Sequence, residues 1–268
     1  MHPRLLVCLF AFASTLAGSQ QPSSGAAPGR VITVGVVHSG DSSRSSSTAS
    51  SSSGVTLGIE EAERTARLFG WRVRTLEAPD SLSPADAVRF VTDRGATAIV
   101  GNLTGPLQNR TRGVPLLIDI VRAQRPPSTD CANGEFHLLP RSASLAWSPS
   151  LQRFGAEQLN ERYQKRFDRE MDEQAWAGWM AVKIVVDAVL KKETTDACTL
   201  ERYLITDARF DGHKGVPLFF DPQTRELVQP LFEARASGEP ATVENRRAPG
   251  TAAQPRGANA SPCPVVCR

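Results

Sequence analysis

The chain has 268 residues, 40% of them hydrophobic and 22% charged, and a formal net charge of +3. That length suits one or two ordinary domains. The charge is too mild, and the Arg residues too scattered, for the clustered basic stripe that a nucleic-acid partner requires. A solvated surface accounts for it.

Both ends and one internal stretch stand apart from the foldable part. Residues 1–19 carry His2 and Arg4, an apolar run over 5–16, and then the small residues Ala17, Gly18 and Ser19. This is the layout of a secretory signal, its apolar core too short to span a bilayer. Cys8 lies inside that core and no cysteine follows Ala17 and Gly18, so the pattern predicts a released protein rather than a lipid-anchored one. Residues 236–268 are rich in Pro, Ala, Gly, Arg and Asn, and they read as a disordered tail. Residues 39–54, almost continuous Ser and Thr, read as a flexible loop. About 190 residues remain between Arg30 and Arg235, enough for one filled core.

In chain order, residues 31–38 (VITVGVVH) form a continuous apolar run suited to a parallel strand covered on both faces. Helical spacing over 55–68 places Leu57, Glu61, Ala62, Thr65 and Leu68 together, and Gly70 ends the helix. A second strand follows at 71–77. Ser83 and Pro84 mark the start of a helix that runs to Arg94 and stops at Gly95. Residues 96–101 and 114–120 are a third and a fourth buried strand, and 135–139 a short fifth. A Pro-containing loop fills 123–133. Helices are predicted over 151–167, 173–192 and 200–206. Lys183, Asp187, Lys191 and Lys192 interrupt the apolar run of 173–192, which makes it a core helix and not a membrane span. Residues 216–220 and 227–232, around Asp221–Arg225, read as a terminal hairpin.

This alternation predicts an α/β fold in three layers, with a mostly parallel sheet joined by right-handed crossovers. Ligands of such sheets sit beyond the carboxyl ends of the strands. The candidate contacts there are Ser39, Gly40, Asn102, Leu103, Thr104 and Asp119.

The residues that carry chemistry elsewhere are missing their companions. There is no Gly-x-Ser-x-Gly elbow, no P-loop, and no Gly-x-Gly-x-x-Gly after the first strand. His38, His137 and His213 are isolated from one another and from cysteines at ligand spacing. The acidic run 168–173 fits a helix start better than a calcium loop, since it lacks alternating ligands and a central Gly. The expectation is a protein that is not an enzyme, with no metal and no cofactor of its own. Four cysteines outlast signal removal: Cys131, Cys198, Cys263 and Cys267. An exported chain meets an oxidising compartment, and the simplest pairing joins Cys131 to Cys198 and Cys263 to Cys267. The other two connectivities stay open.

With the strands placed, the chain resembles the type I periplasmic binding proteins of the leucine/isoleucine/valine-binding kind. Ile32-Thr-Val-Gly-Val-Val-His-Ser-Gly is similar to that family's opening strand and ligand loop, and Gly58-Ile-Glu-Glu-Ala-Glu to its first helix. Residues 87–101 and the Val114-Pro115 entry to the fourth strand fit the same pattern. The later part resembles the branch linked to PQQ-dependent alcohol dehydrogenase systems. The matching stretches are Asp130-Cys131, Phe136-His137, residues 154–159 (FGAEQL), residues 175–182 (AWAGWMAV), residues 214–220 (KGVPLFF) and Gln229-Pro230.

The resemblance implies a periplasmic solute-binding component that serves an ABC permease and takes a small polar solute. It also implies a quinoprotein dehydrogenase or its cytochrome as a further partner. Sequons at Asn102, Asn109 and Asn259 matter only in a eukaryotic secretory pathway, and both the composition and the likeness point to a bacterium. One departure is large. Members of the family insert a second α/β lobe after the fourth or fifth strand, whereas here about ten residues separate Leu139-Pro140 from the helix expected at Leu151. The expected body is therefore a single lobe over 30–235.

Overall fold

The structure, a computed structural model, describes residues 30–38, 46–101, 103, 115–120, 122, 134–233 and 240–243. Its centre is a five-stranded, all-parallel sheet of β1 (Arg30–Val37), β2 (Trp71–Glu77), β3 (Ala98–Gly101), β4 (Leu116–Asp119) and β5 (Glu135–His137). The strand order is β2-β1-β3-β4-β5. The order therefore reverses between β1 and β3. In open α/β sheets ligands bind at such a reversal, beyond the carboxyl ends of the strands.

The apolar strand runs are continuous because both faces are covered. Ile32, Val34 and Val36 of β1 join the larger core, while Val37, Ile99 and Leu117 join a smaller one. The smaller core lies under α2 (Pro84–Asp93), which packs on β1 through Val88 and Val91. Ser83 caps that helix, its Oγ accepting the Asp86 N–H at 3.2 Å. The larger core lies under α1 (Ser46–Leu68), α4 (Glu173–Lys192) and α5 (Ala197–Thr206). Helix α3 (Ala156–Phe167) flanks α1, with Arg162 on Glu61 at 2.8 Å and Arg166 on Glu60 at 2.9 Å. The two faces give the three layers expected from the alternation.

Helix α1 corrects the sequence reading. It starts at Ser46, so residues 46–54 are helical and do not belong to the Ser-rich loop expected over 39–54. Two physical causes offset the poor helix propensity of Ser and Gly. Hydroxyls bond back one turn, Ser53 Oγ to the Ala49 carbonyl and Thr56 Oγ1 to the Ser52 carbonyl, both at 2.9 Å. The small side chains also let α1 lie almost backbone to backbone on α4. A Cβ on Gly54 would stand 1.9 Å from the Ala175 carbonyl oxygen, and one on Gly178 would stand 2.4 Å from that of Ser51. Gly54→Ala forces the helices apart. The expected loss is about 1–3 kcal/mol, larger than the ~1 kcal/mol that Ala gains over Gly in a helix, and urea unfolding measures it.

Past β5 the chain runs through a bridge, residues 138–155, before α3. Gly155 (φ 84°) and Phe154 (φ 58°) turn the backbone into the helix, so α3 begins at Ala156 and not near Leu151. After α5, β6 (Phe210–Asp211), β7 (Pro217–Phe220) and β8 (Leu227–Val228) form a small antiparallel sheet. The predicted hairpin is its β7–β8 half, but Pro230 divides the second arm. Beyond it, β9 (Leu231–Glu233) pairs instead with β10 (Ala241–Val243). Residues 241–243 lie in the stretch expected to be disordered. They are ordered as a strand because Thr242 and Val243 fit a pleat and β9 presents an open edge.

Candidate functional site

Parallel strands bring their carboxyl ends to one edge of the sheet, and the polar groups gather there. Leu103 and Asp119, two of the six candidate contacts, fall within the described residues and are brought together. The Leu103 N–H donates to Asp119 Oδ1 at 3.4 Å. The Leu103 side chain is buried in the smaller core with Val37, Ile99 and Leu117, so its part at this edge is a backbone one. Ser39, Gly40, Asn102 and Thr104 lie outside the described residues.

Asp119 ends β4 and is 1% exposed. A carboxylate taken out of water needs a cationic or hydrogen-bonding partner. The register Asp119↔His137 supplies one from the end of β5, with His137 Nδ1 3.3 Å from Asp119 Oδ2. The His137 backbone is tied at the same time, its N–H donating to the Arg225 carbonyl at 3.0 Å. Sequence reasoning missed this residue, because a lone histidine in a short strand gives no sign of the neighbour across the ladder. The Phe136-His137 dipeptide was the only signal.

Beside this pair, the bridge is fastened across the same edge. Arg122, just past β4, donates through Nη2 to both carboxylate oxygens of Glu173 at 2.7 Å. It also donates to the carbonyls of Pro140 (3.0 Å), Ser142 and Ser144 (3.2 Å). Glu173 in turn accepts the Ala146 N–H at 3.1 Å. Lys214 is buried and donates to the carbonyl of Ala146, to Gln229 Oε1 and to the carbonyl of Pro230. Its ammonium sits 3.8 Å from the centre of the Trp176 ring. Burial holds the Lys214 amine well below the ordinary lysine range, and the Glu173 carboxylate pulls it the other way. Arg141 pairs with Glu226, and the backbones of Leu145 and Phe232 exchange hydrogen bonds at 2.8 and 2.9 Å.

An open cleft of about 500 Å³ lies at the ends of β1 and β2, lined by His38, Ala49, Ser52, Glu77, Ala78, Pro79 and Asp80. Among the described residues, no group of three or more His, Cys, Asp or Glu side chains is placed to hold a metal ion. Nor is any described helix long and apolar enough to cross a membrane. Cys198 is disulfide-bonded, and Cys131, Cys263 and Cys267 lie outside the described residues.

No family model and no curated protein matches the chain. Solved structures do. An ABC transporter substrate-binding protein from Sphaerobacter thermophilus superposes with a TM-score of 0.59 at 10% identity, covering 80% of this chain and 96% of that one. The branched-chain amino acid transporter substrate-binding protein LivJ from Streptococcus pneumoniae, in complex with isoleucine, gives 0.60 at 11% identity, with 80% and 100% covered. A solute-binding protein of an ABC transporter from Rhodopseudomonas palustris, in complex with 3,4-dihydroxybenzoic acid, gives 0.57 at 13% identity, with 80% and 96% covered. At these identities the likeness is one of fold. The chain has the α/β fold of the type I periplasmic binding proteins.

Proposed function

We propose that this chain is an exported solute-binding protein of the ABC-transporter type, acting in the periplasm beside a PQQ-dependent alcohol oxidation system. The observation that carries the reading is the carboxyl edge of the sheet. Strand order reverses there between β1 and β3, and a fully buried carboxylate, Asp119, stands beside the reversal. In this reading Ser39, Gly40, Asn102 and Thr104 supply hydroxyl, amide and backbone contacts to a small polar solute, next to Leu103 and Asp119. Residues 1–19 direct export, an ABC permease receives the solute, and Cys131–Cys198 and Cys263–Cys267 form in the oxidising compartment. The chain performs no catalysis and takes no cofactor.

A second reading is favoured by the bridge. Residues 138–155 pass from β5 to α3 at the point where the sequence resemblance implies a companion lobe, and Arg122, Glu173 and Lys214 tie the bridge down. A single lobe over 30–235 offers half of a clamp. It would then serve as an accessory protein for a periplasmic quinoprotein dehydrogenase or cytochrome, with the edge as its contact surface.

Thermal-shift screening against amino acids, alcohols, organic acids and PQQ separates the two. A solute present at a hundred times its dissociation constant adds about 2.7 kcal/mol, which raises the melting temperature by roughly 5–10 °C for a body of this size. No shift at millimolar concentrations removes solute binding. Co-purification of a dehydrogenase or cytochrome then carries the accessory reading.

A further inference from the structure

We infer that the amino edge of the sheet is a docking surface for an anionic lipid bilayer, with Leu68 and Phe69 as the side chains that enter it. This edge lies opposite the candidate solute site and works independently of it.

The fold puts an apolar tip there. Helices α1 and α4 run in the same direction, since Gly54 meets Ala175 and Gly58 meets Trp179 and Val182. Both therefore end at the amino edge, where Arg30 of β1 meets Glu193 at 3.5 Å. Leu68, the last residue of α1, is 83% exposed, and Phe69 after it 62%. Gly70 (φ 74°) then turns the chain into β2, and a Cβ built on it would meet nothing within 4 Å. Val31, in register with Arg72 at the start of the strands, is also exposed. Among the described residues the remaining exposed large apolar side chains are Phe154 and Val216, so most of this surface collects at one edge. Side chains this exposed project and do not line a groove. A fluid bilayer takes them without a matching socket.

Charge selects the bilayer. Bases that are scattered in the sequence come together around the tip. Arg67 holds Glu63 at 2.8 Å, Arg30 answers Glu193, Asp93 has Arg94 beside it, and Asp196 caps α5 by accepting the Thr199 N–H at 2.7 Å. Arg64, Arg72, Lys191 and Lys192 are exposed and have no acidic partner among the described residues. Arg64 stands one turn before Leu68 on α1, and Lys191 and Lys192 close α4 beside it. Anionic headgroups attract such bases, while a second copy of the chain would bring the same positive edge and be repelled. The stretch 244–268 would be repelled too, with Arg246, Arg247, Arg256 and Arg268 against Glu244 alone.

The chain also enters the body here. Residues 1–29 join at the amino end of β1, and only residues 17–29 separate Arg30 from the apolar run 5–16, a tether of at most about 45 Å. An export signal that engages the bilayer through that run holds this edge, and not the carboxyl edge, within reach of the headgroups.

The test uses the full chain with vesicles of phosphatidylglycerol and phosphatidylcholine in equal parts, and with vesicles of phosphatidylcholine alone, each containing brominated lipid. Phe69→Trp puts a reporter at the tip. Trp71, Trp147, Trp176 and Trp179 are buried, so quenching beyond the wild-type level reads the tip, however residues 1–19 behave. The reporter should be quenched by the anionic vesicles at low salt, far less by phosphatidylcholine alone, and progressively less as salt rises. In the same background, Leu68→Ser, or Arg64→Gln with Lys192→Gln, should raise the lipid concentration for half quenching at least about fivefold. Both should melt where the wild type does, since these side chains are exposed.

A reporter that anionic vesicles leave unquenched overturns the inference. So does quenching of equal strength by phosphatidylcholine alone. Quenching that Leu68→Ser leaves unchanged reduces the edge to a charged surface and overturns it as well. None of these results touches solute binding at the opposite edge.

Discussion

Glu201→Ala is expected to lower the unfolding free energy by about 3–5 kcal/mol, the largest effect of any single substitution considered. Glu201, on α5, and Arg225, on the turn before β8, have side chains only 4% and 3% exposed, with Arg225 Nη2 2.6 Å from Glu201 Oε1. The pair meets as a charge contact more than as an aligned hydrogen bond. Arg225 also donates from Nη1 to the Gly134 carbonyl at 3.0 Å and lies 5.2 Å from the centre of the Phe136 ring. Its guanidinium cannot shed its proton in a protein, so removing Glu201 strands a permanent charge in the core. Replacing both residues by Met should cost much less than the sum of the two single changes, and a double-mutant cycle in urea measures the coupling. The Arg225 carbonyl also anchors His137, so the single variant should broaden or shift the His137 imidazole signals before the chain unfolds.

Lys214→Met is expected to cost roughly 2–4 kcal/mol at neutral pH, because it leaves the carbonyl of Ala146 and the Gln229 amide oxygen buried without their donor. The methionine stem keeps the packing against Trp176, so the loss reports the polar contacts. The second signature is a pH dependence. Burial lowers the folded-state pKa of Lys214, while the unfolded chain keeps its ordinary value of about 10.4. Between those two values the unfolded state binds a proton that the native state has released. Stability therefore rises with pH across that window and is flat below the folded value. Lys214→Met should lack that rise when unfolding free energies are compared through the alkaline range. A rise of equal size in both proteins would assign it to another group.

The elements that were plain in the sequence are those whose ends carry their own chemistry. Helix α4 runs over Glu173–Lys192 as predicted, because Asp172 caps it, accepting the Ala175 N–H at 2.8 Å, and Lys191 and Lys192 close it. Helix α2 follows from Ser83 and Pro84 in the same way. The parallel sheet was readable from β-branched runs at crossover spacing.

What escaped notice depends on contacts distant in sequence. Residues 46–54 look like a loop until the bare backbone of Gly54 finds Ala175, more than a hundred residues on. Strand β10 is a run of only three residues, Ala241–Val243, that becomes a strand because β9 lies open beside it. The carboxyl edge was foreseeable at Leu103 and Asp119 because strand ends are local. His137 and the fastened bridge were not, since a ladder neighbour and an Arg122–Glu173 contact leave no local pattern.

The glycine-lined seam between α1 and α4 also sets an order of assembly. The helix that seals the first strand is made last but one, so β1, β2 and α1 emerge with a greasy flank and nothing to cover it. A nascent chain of this design stays uncommitted until Glu173–Lys192 has left the ribosome, and slow, long-range closure then decides its fate.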